Sequence, residues 1–312
     1  MEIVKAFLDD GAQLTGPYID LDGAPEGRSE RETEILRLVT EKARLVHSYG
    51  EVLGGVKPLG FWRALKERHI YLKKYSAKME GSGKEALAAK LAAISMPEDA
   101  GEQEIALREK LCSIGMELVQ EGLIQGSWGN ISARVDENTM LVTPSGIDYD
   151  LLKPQHMVRV NIHTFEYDKN GPAPSSEAKM HGYIYAAGPD LAGIVHTHSP
   201  GCCAFASCEM DLNFAEARYF LEEEAQAAVD RAREIFGGTV RCAEFGYAGS
   251  DRLAENVRAA LGSGLGVLMA HHGMAACGRS IEDAFEACRA MEAAAAAICR
   301  AGIKSAAAQN VL

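Results

Sequence analysis

Leu191-Ala-Gly-Ile-Val-His-Thr-His198 is an apolar run that ends in two imidazoles. The unbroken apolar character reads as a buried strand. Histidines two apart on a strand project from the same face, so His196 and His198 can reach one point. A second apolar run, Gly266-Val-Leu-Met-Ala270, leads into His271-His272-Gly273. An imidazole from there would complete the three-histidine set that catalytic zinc favours, with one coordination position left open. If the strand continues, His271 and His272 point to opposite faces and only one of them joins the set. The alternation alone does not say which. Upstream, the turn Pro174-Ser-Ser-Glu177 offers a carboxylate suited to act as a base.

Outward from these runs, helices and short strands interleave. Residues 103–122 read as an amphipathic helix, and Ile131–Val135, Met140–Thr143 and Met157–Ile162 as strands. Ser175–Ala187 reads as a helix preceded by Pro174, followed by helices at 221–236 and Arg252–Leu261 and a strand at Thr239–Ala243. The last helix starts at Ile281, with Ser280 and Asp283 as a near capping box, and runs to about Arg300. Before residue 103 the pattern is helical throughout: 28–48 with Ser29 as a cap candidate, then 60–79 and 83–94. The stretch from Met96 to Gly101 is a linker. The expected organisation is a helical extension over 1–102 and a catalytic domain over 103–312.

The net charge of −12 disfavours a nucleic-acid partner. It leaves room for an anionic small molecule, because a metal and backbone N–H groups hold a phosphate locally. No apolar stretch is long enough to span a bilayer, and the first ten residues lack the basic region of a signal peptide, so a cytoplasmic protein without a membrane partner is expected. The eight cysteines contain no Cys-x-x-Cys pair, which argues against a zinc ribbon or a redox pair. They read as reduced, small core residues.

Three turns are candidates for anion binding. Gln125-Gly-Ser-Trp-Gly-Asn-Ile-Ser132 has two glycines that permit close backbone approach. Thr143-Pro-Ser-Gly146 is the second, and Pro174-Ser-Ser-Glu177 opens a helix whose N-terminal N–H groups favour a phosphate.

In order, Gly126-Ser-Trp-Gly-Asn-Ile-Ser132, Thr143-Pro-Ser-Gly146, Pro174-Ser-Ser-Glu177, Val195-His-Thr-His198 and Ala270-His-His-Gly-Met-Ala-Ala-Cys-Gly278 resemble the successive motifs of the class II aldolase/adducin family. The resemblance covers residues 103–302. It implies a three-layer α/β/α domain around a central mixed, largely antiparallel sheet, here preceded by the helical extension. It selects His272 over its neighbour and implies that His196, His198 and His272 bind zinc or another divalent metal. It implies Glu177 as the catalytic acid/base and Asn130, Ser145, Gly146, Ser175 and Ser176 as the phosphate or substrate contacts. His181, one turn beyond Glu177, falls on the same helix face, as second-shell support or as packing.

The activity implied is zinc-dependent retro-aldol cleavage of a small ketose phosphate through a metal-stabilised enediolate. An epimerase, dehydratase or decarboxylase acting on a phosphorylated sugar or hydroxy acid is the alternative, and a non-catalytic adducin-like module the third reading. Family enzymes are commonly homotetramers, so a homo-oligomer is expected. Three features depart from the pattern: the extension, a longer segment between His198 and Gly246, and the lack of a match to the tail that brings a tyrosine to a neighbouring site.

Overall fold

The computed structural model describes residues 30–57, Arg63, Lys66, Ala89, 91–214 and 221–309. The expected helix at 60–79 and most of that at 83–94 lie outside the described residues, as does Ser29. In chain order the helices are α1 (Glu30–Val52), α2 (Glu102–Gln120), α3 (Ala178–Ala187), α4 (Pro200–Ser207), α5 (Glu223–Phe236), α6 (Asp251–Leu261) and α7 (Ile281–Gln309). The strands are β1 (Asn130–Arg134), β2 (Thr139–Val142), β3 (Val158–Asn161), β4 (Gly193–Thr197), β5 (Leu212–Asn213), β6 (Thr239–Ala243), β7 (Gly266–Met269) and β8 (Gly273–Gly278). They form one sheet in the order β3-β2-β1-β4-β8-β7-β6-β5. Only β6 and β7 run parallel, joined through α6; every other neighbour is antiparallel.

Both faces of the sheet are covered, and the period-two alternation of the strands sorts their side chains between two cores. Val195, Leu268, Met274 and Ala276 face one core with α1, α2, α4, α5 and α7. Ile194, Val267, Met269, Ala275 and Cys277 face the other with α3 and α6. The result is a three-layer α/β/α domain on a mixed, largely antiparallel sheet. The Ala-rich centre of α7 lets neighbouring helices approach closely: Ala294 and Ala295 are fully buried. Ser280 Oγ accepts the Asp283 N–H at 3.0 Å, fixing where α7 begins. All eight cysteines are free thiols and six are buried, as small core residues.

Helix α1 belongs to the expected extension, yet Val46 and Tyr49 lie in the same core as α4 and α7. Its Lys42 is buried and donates to Gln125 Oε1. Burial is the main reason that this amine is pushed down to about 8.

Four elements depart from the sequence reading. Residues Gly273–Gly278 are a central strand, β8, which the small residues Gly, Ala and Cys disguised. Pro200–Ser207 forms α4, and β5 is a two-residue edge strand. The helix expected from Ser175 starts three residues later, at Ala178. Before it, the Ser175 N–H bonds Thr143 O at 3.0 Å, tying this turn to the neighbouring one.

Candidate metal centre and acid/base site

β4 ends at Thr197, so His196 lies within the ladder, opposite Asn130 and Ala275, and His198 just beyond it. The other histidines do not continue a strand. Met269 to His272 is a tight turn between β7 and β8, closed by the His272 N–H to Met269 O at 2.9 Å. His271 occupies the third position of that turn with φ 56, the left-handed conformation that a type II turn requires there. A non-glycine residue in that region costs roughly 1–3 kcal/mol. The turn swings the two imidazoles apart. His271 Nε2 meets Glu209 Oε1 at 3.2 Å and its ring stands edge-on to Phe245, whereas His272 joins His196 and His198. It is His272 that lies beside His196 and His198, brought there by a turn and not by an extended strand.

The three rings have centroids 4.8–5.0 Å apart and are buried. His196 Nδ1 lies 2.7 Å from Met274 O; a carbonyl only accepts, so Nδ1 carries the hydrogen and Nε2 presents its lone pair. That lone pair faces His198 Nε2 at 3.0 Å and Glu177 Oε2 at 2.9 Å. Glu177 Oε1 lies 3.0 Å from His272 Nε2. A bare nitrogen facing a carboxylate oxygen is repulsive unless a positive charge lies between them. One cation shared by three imidazoles satisfies all of them, and tetrahedral zinc would set its nitrogens about 3.4 Å apart. The residues present therefore fit a divalent metal. Among the described residues they are the one group of three His, Cys, Asp or Glu side chains so arranged.

Burial alone would raise the Glu177 pKa, but positive charge on the His272 and His196 side of the site, a cation or their own protons, outweighs it and holds the carboxyl well below its usual range. Burial, then the positive charge on the His196 and His272 side of the site, keeps His198 neutral, which is the ligand form.

The two serine turns lie side by side through the Pro144–Pro174 bridge and the Ser145 N–H to Ala173 O bond at 2.9 Å. Ser145 and Ser176 are exposed, and Gly146 has φ 71. Ser175 is buried, and its hydroxyl accepts the Glu177 N–H at 3.2 Å. The Asn130 amide is used by Glu177 Oε2 at 3.0 Å and His181 Nε2 at 2.6 Å. Sequence reasoning missed two supports. Ser199-Pro200, a cap residue followed by Pro at the first helical position, was the readable signal for α4. Glu292 of α7 accepts the Gly201 and Cys202 N–H groups at 2.7 and 2.9 Å, so a carboxylate sits at the positive end of α4, directly after His198.

Gly273 has no room for a side chain: an added Cβ would overlap Thr197 O and come within 2.8 Å of His198 Cδ2. Gly273→Ala is expected to displace His198, weaken metal binding and cost about 1–3 kcal/mol, as overpacking does. Metal titration and thermal unfolding in chelator check both effects. Wild-type affinity and stability would show that the β4–β8 contact yields without disturbing the ligands.

An eight-stranded α/β/α domain with a buried three-histidine group and an adjoining carboxylate defines a candidate metal-site protein. Residues 109–299 match the family model described as "Class II Aldolase and Adducin N-terminal domain". The chain belongs to the class II aldolase/adducin family. It is 30% identical over 178 residues to L-fuculose phosphate aldolase of Escherichia coli O6:H1, covering 57% of this chain and 75% of that one. It is 30% identical over 186 residues to 5-deoxy-D-ribulose 1-phosphate aldolase of Bacillus thuringiensis serovar kurstaki, covering 59% and 80%. A solved L-fuculose 1-phosphate aldolase superposes with a TM-score of 0.55 at 25% identity, over 68% of this chain and 89% of that one.

Proposed function

We propose that this chain is a metal-dependent class II aldolase-type lyase that cleaves a small ketose phosphate by retro-aldol chemistry. The observation that carries the reading is the His196 Nε2 lone pair aimed at Glu177 Oε2 from 2.9 Å, with two further imidazoles around the same point. His196, His198 and His272 would hold the cation, zinc by the preference of three imidazoles, and it would supply Lewis-acid polarisation of the substrate oxygens. Glu177, ionised and buried beside that point, would move the proton at the adjacent carbon. Ser145, Gly146, Ser175, Ser176 and the second N–H hydrogen of Asn130 would hold the phosphate, fixing the reacting carbon beside the triad.

The relatives named above act on L-fuculose phosphate and 5-deoxy-D-ribulose 1-phosphate, which supports a ketose 1-phosphate as the substrate class. A cytoplasmic homotetramer is part of the proposal, as are an extension over residues 1–102 and a catalytic domain over 103–312. No helix among the described residues is long and apolar enough to cross a membrane.

Zinc-loaded protein given L-fuculose 1-phosphate, 5-deoxyribulose 1-phosphate and ribulose 5-phosphate is expected to release dihydroxyacetone phosphate and an aldehyde from a ketose 1-phosphate. Epimerised substrate without cleavage, loss of water, or CO₂ from a hydroxy acid would move the assignment to another reaction on this scaffold.

A further inference from the structure

A five-residue hydrogen-bonded chain runs inward from Glu177. Asn130 Nδ2 is 3.0 Å from Glu177 Oε2, Asn130 Oδ1 is 2.6 Å from His181 Nε2, His181 Nδ1 is 2.6 Å from Ser132 Oγ, and Ser132 Oγ is 2.9 Å from Tyr185 OH. All five residues are buried; Ser132 and His181 are 0% exposed. A buried network of this kind is valuable only if every donor meets an acceptor.

The direction of the chain follows from its outer end. A carboxylate only accepts, so Asn130 must turn its N–H toward Glu177 and its carbonyl toward His181. His181 then carries its hydrogen on Nε2. Its bare Nδ1 accepts from the Ser132 hydroxyl, which accepts in turn from Tyr185. A reversed amide would set Asn130 Oδ1 against the carboxylate, a repulsive contact that neither tautomer of His181 relieves. Burial is the main reason that His181 is pushed down to about 3, so it is the neutral ring that sits here.

We infer that His181 is a positioning residue: its Nε2–H locks the Asn130 amide in the orientation that presents an N–H to Glu177 Oε2. The chain holds the carboxylate and does not conduct its proton, because the Asn130 amide interrupts the line of titratable groups. Without the lock, the Asn130 amide loses one of the two partners that fix its orientation, and the contact by which it aims the carboxylate between the imidazoles and the substrate weakens. This inference rests on Glu177 being the acid/base.

Histidine-labelled ¹⁵N NMR of the full chain is expected to show His181 protonated on Nε2 and bare on Nδ1. His181→Leu should lower kcat by roughly 10- to 100-fold, as loss of an outer-shell partner does, with KM within about twofold and the metal content unchanged. His181→Gln, which returns an amide N–H near the Nε2 position, should recover most of the loss. In a Glu177→Gln background, His181→Leu should cost nothing further, because it acts only through that carboxylate.

Equal losses in the Leu and Gln variants, a further loss in the Glu177→Gln background, or a hydrogen on Nδ1 would overturn the assignment. If His181→Leu does not fold, Ser132→Ala removes the partner of Nδ1 alone. A mixed His181 tautomer with reduced kcat then supports the lock, and an unchanged tautomer and rate refute it. Failure of the Glu177 reading is separate: it appears as turnover retained in Glu177→Gln itself.

Discussion

His272→Ala is expected to empty the metal site, and His271→Ala, one residue away, to leave it filled. His272 Nε2 converges with the nitrogens of His196 and His198 and touches Glu177 Oε1 at 3.0 Å. Its removal leaves two imidazoles, too few for the closed side of a three-nitrogen site. His271 lies on the other side of the turn, held by Glu209 and Phe245. Its loss should lower stability modestly and spare the metal. Elemental analysis of each variant after zinc loading and gel filtration reads the difference: about one metal per chain for wild type and His271→Ala, near zero for His272→Ala. Equal loss in both, or a wild-type protein that takes up no metal, would defeat the ligand assignment.

Glu177→Gln should leave a folded protein that still binds metal and substrate but turns over slowly. The substitution keeps the length and one acceptor oxygen for Asn130, and it removes the anion. Three imidazoles remain to hold the cation. The loss should therefore fall on kcat, by ~100- to 10,000-fold, the range general acid–base catalysis supplies. KM and the zinc content serve as controls on binding. A variant with most of the wild-type turnover would show that another group handles the proton.

Much of the domain was readable because its signals are local. The apolar run before His196 marked β4, Gly266–Ala270 marked β7, and Ser280 with Asp283 marked the start of α7. Each depends on side chains within a few positions, where periodicity and capping operate. β8 was invisible because Gly273-Met-Ala-Ala-Cys-Gly278 has little strand propensity of its own. It is a strand because β4 and β7 pair with both of its edges in the middle of the sheet.

By itself, the order of residues determined the interleaving of helices and strands, the family motifs and the set of groups able to do chemistry: the histidines at 196, 198, 271 and 272, Glu177, and the serine turns. Tertiary structure alone decided which of these meet. His272 reaches the triad because the Met269–His272 turn takes His271 to φ 56, and such a turn is set by the pairing of β7 with β8. Asn130 became a support for Glu177 because β1 lies beside β4, bringing it opposite His196. His181, Ser132 and Tyr185 joined it because α3 packs on that face of the sheet. Spacing along a chain fixes the face a side chain takes. The partner across that face is contributed by residues dozens of positions away, and only the closed fold selects it.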